Sequence, residues 1–207
     1  MARNLHSVVK QSRREGYALH PKAHKAMAKR TTMPGAPGGG GGRRPAKPSQ
    51  YSLQLRDKQK VKRLYGLLEK QFANLMSEAS KGTGQSGENL LRFLEQRADN
   101  AVYRAGFATS RRAARQLMTH GHFTLNGRRV DIPSLRLQPG DVLAVRDHST
   151  KSEYFKKLDE ISPAGNDMPS WLKADRKKLS ISITSLPTRE HAEPEIKEQL
   201  IVEYYSR

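Results

Sequence analysis

The chain has no cysteine among its 207 residues. That excludes disulfides and thiolate-ligated metal centres, and it fits a reducing compartment. Apolar material is also scarce: 35% of residues are hydrophobic and 6% aromatic, with a mean hydropathy of −0.79. A modest core spread over one or two small domains is the consequence. No apolar run approaches the ~18–20 residues that cross a bilayer. Met1 to Gly16 has no hydrophobic stretch of the secretory kind, although an Arg-rich, acid-poor start can imitate an organellar transit peptide. Acid is what the first third lacks most. Residues 1–63 hold 2 Asp/Glu against 16 Lys/Arg, a net of +14.

What is present is positive charge. The formal net charge is +18, from 38 basic and 20 acidic residues. Its placement is uneven. Residues 64–94 balance at 3 against 3, residues 95–150 carry 9 against 5, and residues 151–207 balance at 10 against 10. The surplus therefore sits in the first 63 residues and in 95–150, which points to a polyanionic partner for those two stretches.

The stretch 94–145 is the most patterned. Leu90, Leu91, Leu94, Ala98 and Val102 share one stripe at helical period, and the chain breaks at Gly106-Phe107. Thr109 or Ser110 can cap a second helix whose apolar face is Ala113, Ala114, Leu117 and Met118. Arg111, Arg112 and Arg115 project from the rest of that helix, and Gly121 is its left-handed stop. Phe123 and Leu125 then alternate with His122 and Thr124, and Asn126-Gly127 is a favoured type I′ turn. After a second turn at Pro139-Gly140-Asp141, Leu143 and Val145 begin another strand. Upstream, Val61, Leu64, Tyr65, Leu68, Phe72, Leu75 and Met76 make one stripe over a long helix from Asp57 to Ala79. Downstream, Trp171 reads as a buried anchor, Leu179, Ile181 and Ile183 as a strand, and Glu195 to Gln199 as a short helix.

These residues carry a resemblance. Leu94-Glu95-x-Arg97, Val102-Tyr103-Arg104, Ser110, Ala114-Arg115-x-Leu117-Met118 and the Gly121…Asn126-Gly127 hairpin resemble the S-four RNA-binding domain. Arg13-Arg14-Glu15-Gly16, Ala36-Pro37-Gly38, Leu55-Arg56-Asp57-Lys58-Gln59-Lys60, Tyr65-Gly66 and Gly87-Glu88-Asn89-Leu90-Leu91 resemble the family of bacterial small-subunit ribosomal protein number four. So do Pro169-x-Trp171-Leu172 and the closing Leu200-Ile201-Val202-Glu203-x-Tyr205-Ser206. The Arg13-Arg14-Glu15-Gly16 motif argues against a transit peptide. Ala98 departs from the family, which usually has a larger aliphatic residue there. Many relatives also carry a cysteine zinc knuckle near the N-terminus, which this chain cannot build.

The expected fold class is α+β: a mainly helical N-terminal lobe with a returning C-terminal segment, plus a small module of two helices on a short antiparallel sheet. The expected segments are a basic Gly/Pro-rich RNA-binding extension (1–48), a helical lobe (49–94), the S-four domain (95–157) and a C-terminal extension packing on both lobes (158–207). Free of RNA, the extension is expected to lack order, because Gly38 to Gly42 has the largest ordering entropy of any backbone.

The resemblance implies a structural, non-enzymatic role in the small ribosomal subunit of the cytoplasm. It implies primary binding to a multi-helix junction in the 5′ domain of 16S-type ribosomal RNA, nucleation of subunit assembly and a contribution to translational accuracy. Implied partners are small-subunit ribosomal protein number five and the protein's own messenger RNA. Lys and Arg supply sequence-independent RNA affinity through charge pairing and counterion release, and arginine's planar fork can also stack. The candidate RNA-binding residues in the extension are Arg3, Lys10, Arg13, Arg14, Lys22, Lys25, Arg43, Arg44 and Lys47. The lobe adds Arg56, Lys58, Lys60, Lys62 and Arg63, and the module adds Arg97, Arg104, Arg111, Arg112, Arg115, Gln116, His120, Asn126 and Arg128.

Competing chemistry is thin. His20 and His24 stand four apart, but no carboxylate or thiolate accompanies them at metal-site spacing, so neither metal nor cofactor is expected. Gly38 to Gly42 is followed by no Gly-Lys-Ser/Thr, which removes a nucleotide loop. Tyr51 and Tyr65 could stack on bases, though Tyr65 lies on the apolar stripe. The same module is appended to RNA-modifying enzymes. Gly127-Arg128-Arg129-Val130-Asp131 faintly resembles a pseudouridine synthase motif, but it sits inside the hairpin with no catalytic domain behind it. A free RNA chaperone would lack the long N-terminal lobe and the closing motif.

Overall fold

A computed structural model of the chain describes residues 6–30, 32–35, 47–163 and 168–206. It divides into two compact units, Met1–Gly87 with Glu195–Arg207, and Glu88–Pro194. The first is discontinuous in sequence, so the C-terminal segment belongs to the N-terminal lobe.

In that first unit, α1 (Val8–Glu15) ends at Gly16 in the left-handed region, and α2 (Pro21–Lys29) starts with proline at its first position. His20 caps α2: its Nδ1 accepts from the Lys22 amide at 3.1 Å. That bond gives His20 a structural role. The expectation that the extension lacks order by itself is therefore corrected for residues 8–29. These helices are held by tertiary bonds. Glu15 accepts from Arg56 at 3.2 Å and from Arg63, and Arg13 donates to the Thr32 carbonyl at 2.7 and 3.0 Å. Ser12 and Ala23 are fully buried beneath them.

The single helix expected from Asp57 to Ala79 is two: α3 (Gln50–Leu64) and α4 (Glu69–Lys81). The hydrophobic stripe continues through the break, so periodicity alone could not show it. Gly66 causes the break. At φ +66 it donates to Arg63 O, while Leu67 donates to Lys62 O at 2.9 Å, the paired bonds of a glycine-terminated helix end. α11 (Glu198–Tyr205) packs on α3, with Gln54 Nε2 donating to Glu203 at 2.7 Å. The helix expected over Glu195–Gln199 thus lies later, where Leu200-Ile201-Val202 supplies an apolar face and Ile201 is buried.

The second unit begins in α5 (Ser86–Glu95) and continues through α6 (Ala98–Arg104) and α7 (Arg111–Thr119). The stripe from Leu90 to Val102 again covers two helices. The helix is interrupted at Gln96 and Arg97, where the 133–137 loop bonds in: the Leu137 amide donates to Gln96 O at 2.9 Å, and Leu135 O and Pro133 O accept from the amides of Ala98 and Asp99, two of the otherwise unpaired donors of α6. Ser110 caps α7 through the Ala113 amide at 3.3 Å.

β1 (Phe123–Leu125) and β2 (Arg128–Val130) form the expected hairpin, with positive φ at Asn126 (48°) and Gly127 (82°). β3 (Val142–Val145), β4 (Leu172–Asp175) and β5 (Ser180–Ile183) complete an antiparallel sheet of order β2-β1-β3-β5-β4. Two of its strands come from beyond residue 158. Between the two groups run three single-turn helices, α8 (Asp147–Thr150), α9 (Glu153–Lys156) and α10 (Leu158–Ile161). The core joins Ala101, Val102, Met118, Phe123, Leu143, Trp171 and Ile181, all fully buried. Phe123 meets Phe107 and Phe155 edge-on at 6.4 and 6.1 Å. Each fully buried side chain of this size contributes about 1.5–3 kcal/mol, so this cluster sets the rigidity of everything mounted on it.

Candidate nucleic-acid interface

Four arginines of the second unit are drawn into a lattice of carboxylates. Arg97 donates through Nε and Nη2 to both oxygens of Asp99, at 3.0 and 2.7 Å. Arg115 reaches the same carboxylate at 3.5 Å. Burial pulls the Arg115 guanidinium below its ordinary pKa and the Arg97 charge adds to this, while Asp99 opposes it. Arg104 donates to both oxygens of Glu95, at 3.2 and 3.0 Å, and to the His191 carbonyl at 3.1 Å. The Glu95 side chain has 0% exposure. Asn100 links the pieces: its Nδ2 donates to Glu95 at 2.8 Å, and its Oδ1 accepts from Arg111 Nε at 3.0 Å. Arg111 also lies 4.6 Å over the Tyr103 ring and donates to Glu193 at 3.0 Å.

The lattice follows from the sequence string Glu95-x-Arg97-x-Asp99-Asn100. The α5–α6 turn folds that string on itself, so acids and bases close in sequence become partners. A buried carboxylate without a partner would cost several kcal/mol, so each acid here fixes an arginine and each arginine neutralises an acid. Arg97, expected at the RNA surface, is enclosed for this reason. Arg104, Arg111 and Arg115 keep only an edge toward solvent.

Arg112, Gln116 and His120 repeat every fourth residue along α7, and all three are exposed. At the hairpin, Asn126, Arg128 and Arg129 are exposed. Asn126 also ties the turn to its neighbour, donating to Asp141 at 2.8 Å and accepting from the Val142 amide at 2.9 Å.

Three arginines escaped sequence reasoning. Arg129 folds back over Gly121, so close that a Cβ there would stand 2.8 Å from its Nε. Arg146 Nη1 donates to the Gly121 carbonyl at 3.2 Å, which places two cations at the negative end of α7. Arg136 stacks 4.2 Å over Phe93. The Arg128-Arg129 pair was a readable signal for the first; nothing local marked the other two. His122, beside Arg146, bonds Ser149 Oγ at 3.0 Å. Burial, then the neighbouring His120 and Arg146 charges, lower its pKa.

The first unit is organised differently. Lys58, 3% exposed, donates to Glu69 at 2.6 Å and sits 4.5 Å over the Tyr204 ring. Lys62 also holds Glu69 at 2.6 Å, and the Tyr205 hydroxyl donates to it at 3.0 Å. Burial alone would raise the Glu69 pKa, but the bonds from Lys58, Lys62 and Tyr205 hold it at about 2. Burial and Glu69 raise that of Tyr205. Arg56 and Arg63 serve Glu15, whose pKa burial raises against their pull. Lys60 pairs with Asp57 at 3.0 Å. Lys58 is thus a packing cation that joins α3, α4 and α11. Tyr65 is core at 4% exposure, and Tyr51 leans on Tyr204 at 5.8 Å. Lys10, Arg14, Lys22, Lys25 and Lys47 are exposed. Arg3, Arg43 and Arg44 lie outside the described residues, as do Gly38 to Gly42.

Each unit thus carries exposed cations beside cations that are buried and neutralised, and exposed cations of this kind can pair with phosphate. Residues 3–95 match the model of the ribosomal protein S4/S9 N-terminal domain, and residues 96–143 match that of the S4 domain. Over 100% of both chains, the sequence is 48% identical to the small ribosomal subunit protein uS4 of Clostridioides difficile (strain 630). It is 47% identical, again over the whole of both chains, to the uS4 proteins of Roseiflexus castenholzii and Chloroflexus aurantiacus. This chain belongs to the uS4 family. The uS4 family is structural and non-enzymatic. Among the described residues, no group of His, Asp and Glu is placed to hold a metal ion.

Proposed function

We propose that this protein is a structural constituent of the small ribosomal subunit that grips ribosomal RNA by shape and phosphate position. The reading rests most on one observation: Arg97, Arg104 and Arg111 are fixed by Glu95, Asp99 and Asn100, while Arg112, Arg128 and Arg129 of the same unit stand exposed. A-form RNA hides its base edges in a deep, narrow groove, so a rigid cationic relief suits it better than flexible readers of sequence. Lys10, Arg14, Lys22, Lys25 and Lys47 contact phosphates from the first unit. Arg112, Gln116, His120, Asn126 and Arg128 do so from the second.

The target is a multi-helix junction in the 5′ domain of 16S-type ribosomal RNA, bound early enough to nucleate assembly in the cytoplasm. Small-subunit ribosomal protein number five is the neighbouring protein, and that contact bears on translational accuracy. The protein's own messenger RNA is a further ligand wherever it copies the junction's shape. The direct test is a salt titration of binding to the transcribed junction. With ~6–10 phosphate contacts, affinity falls by about 10³–10⁵ between 50 and 200 mM salt. A flat response would reject the reading.

A further inference from the structure

Three carboxylates neutralise the arginine lattice, and they are not equivalent. Glu95 is wholly enclosed and Asp99 is 7% exposed, both on the α5–α6 segment that carries Arg97 and Arg104. Glu193 is 22% exposed and arrives from a segment 82 residues beyond Arg111. Its single oxygen Oε1 is shared by two guanidiniums, Arg111 at 3.0 Å and Arg104 at 3.4 Å. Both arginines stay fixed without it. Arg111 keeps Asn100 Oδ1 and the Tyr103 ring, and Arg104 keeps Glu95 and the His191 carbonyl.

We infer that Arg104 and Arg111 form a preset phosphate seat, and that Glu193 is a removable anion occupying it. The seat already accommodates one anionic oxygen between two planar donors. A phosphate oxygen presents the same charge and acceptor geometry with further acceptors behind it. Glu95 and Asp99 cannot leave without stranding buried arginines, whereas Glu193 can swing to water. Exchange therefore replaces an internal ion pair by one to RNA, with no change in the arrangement of the arginines. It also adds discrimination: only an RNA that places a phosphate at this point displaces the carboxylate, and a loosely docked polyanion leaves it in place.

This inference rests on the RNA-binding reading above. Its test compares full-length Glu193→Gln and Glu190→Gln proteins with the unaltered chain, binding the transcribed 5′-domain junction across a salt series. Glu190 is exposed on the same segment, and its replacement changes net charge equally. Glu193→Gln is expected to bind about fivefold tighter, the most that a partly exposed ion pair usually withholds. Glu190→Gln is expected to match the unaltered chain. Glu193→Gln binding that is unchanged or weaker overturns the seat, and so does an equal gain in both variants, which would mark a net-charge effect. Should Glu193→Gln melt below the unaltered protein, Glu193→Asp, which draws the carboxylate back by one methylene, replaces it with the same expectation. Absence of binding by the unaltered chain would instead overturn the parent reading.

Discussion

The two units use positive charge in opposite ways. Between residues 95 and 150 all nine basic residues are arginine, and four of them are locked to carboxylates. In the first 63 residues arginine and lysine occur eight times each, against two acids. In that first unit Glu15 and Glu69 each hold two cations at helix junctions, Lys60 pairs with Asp57, and Lys10, Lys22, Lys25, Lys29 and Lys47 stand exposed. Arginine's planar fork suits a site where geometry must be fixed, and the flexible lysine ammonium suits a point charge that follows its partner. One region thus supplies shape and the other supplies attraction. Net charge, +14 against +4, records a difference in amount and not this difference in use.

That contrast breaks hardest at Glu95. Replacing it with alanine strands Arg104 and Asn100 in a buried site and is expected to destabilise the second unit by about 3–5 kcal/mol. Chemical denaturation with a probe in that unit, such as Trp171 fluorescence, measures it. A loss under about 1 kcal/mol would mean the lattice is ornamental and the arginines are held by packing. Next in size is Gly121→Ala. Its φ of +70 and the Arg129 side chain at 2.8 Å both resist a Cβ. A cost of about 1–2 kcal/mol is expected from the left-handed backbone, together with a displaced hairpin visible in amide chemical shifts.

The surface side of the comparison is sharpened by Arg112→Ala and by the triple change of Lys10, Lys22 and Lys25 to alanine. Neither should move the melting temperature, because surface substitutions of this kind stay within about 0.5 kcal/mol. The first should lower the salt slope of RNA binding by about one and the second by about three, one per phosphate released. By contrast, Arg111→Ala should lower both stability and affinity, since it also leaves Asn100 Oδ1 without its donor.

How much of this was legible before the structure depends on range. The module's helices, its Asn126-Gly127 turn and its Ser110 cap are local and could be read directly. Family motifs carried the rest of the functional assignment. Two helix breaks were hidden, at Gly66 and at Gln96-Arg97, because the apolar stripe runs unbroken across both. One depends on a single left-handed residue, and the other on a loop almost forty residues downstream. The burial of Lys58 and Arg97 was hidden for a related reason. Their partners Glu69 and Asp99 are near in sequence, yet a charge count treats every cation as solvated. Glu193 lay beyond reach, since nothing local ties it to Arg111.

The smallest expected effect concerns acid, and it separates the two units by pH. Glu69 has a pKa of about 2 in the fold, against roughly 4.3 in an unfolded chain. Its folded value is depressed, so its contribution is complete above about pH 4 and is lost as pH falls toward 2. Half the Glu69 side chain meets solvent, so screening keeps that contribution small. His122 is depressed as well, and the stability it lends as a neutral ring is lost as pH falls below about 6.5. Acidification should therefore loosen the His122–Ser149 corner of the second unit first and the α3–α4–α11 junction of the first unit later. Glu69→Gln should flatten the lower step alone, and His122→Gln the upper step alone. Hydrogen exchange at the amides of α11 and of β3, followed from pH 7 to 3, distinguishes the steps. Loss of protection at both places together would show that one shared acid transition governs the two units.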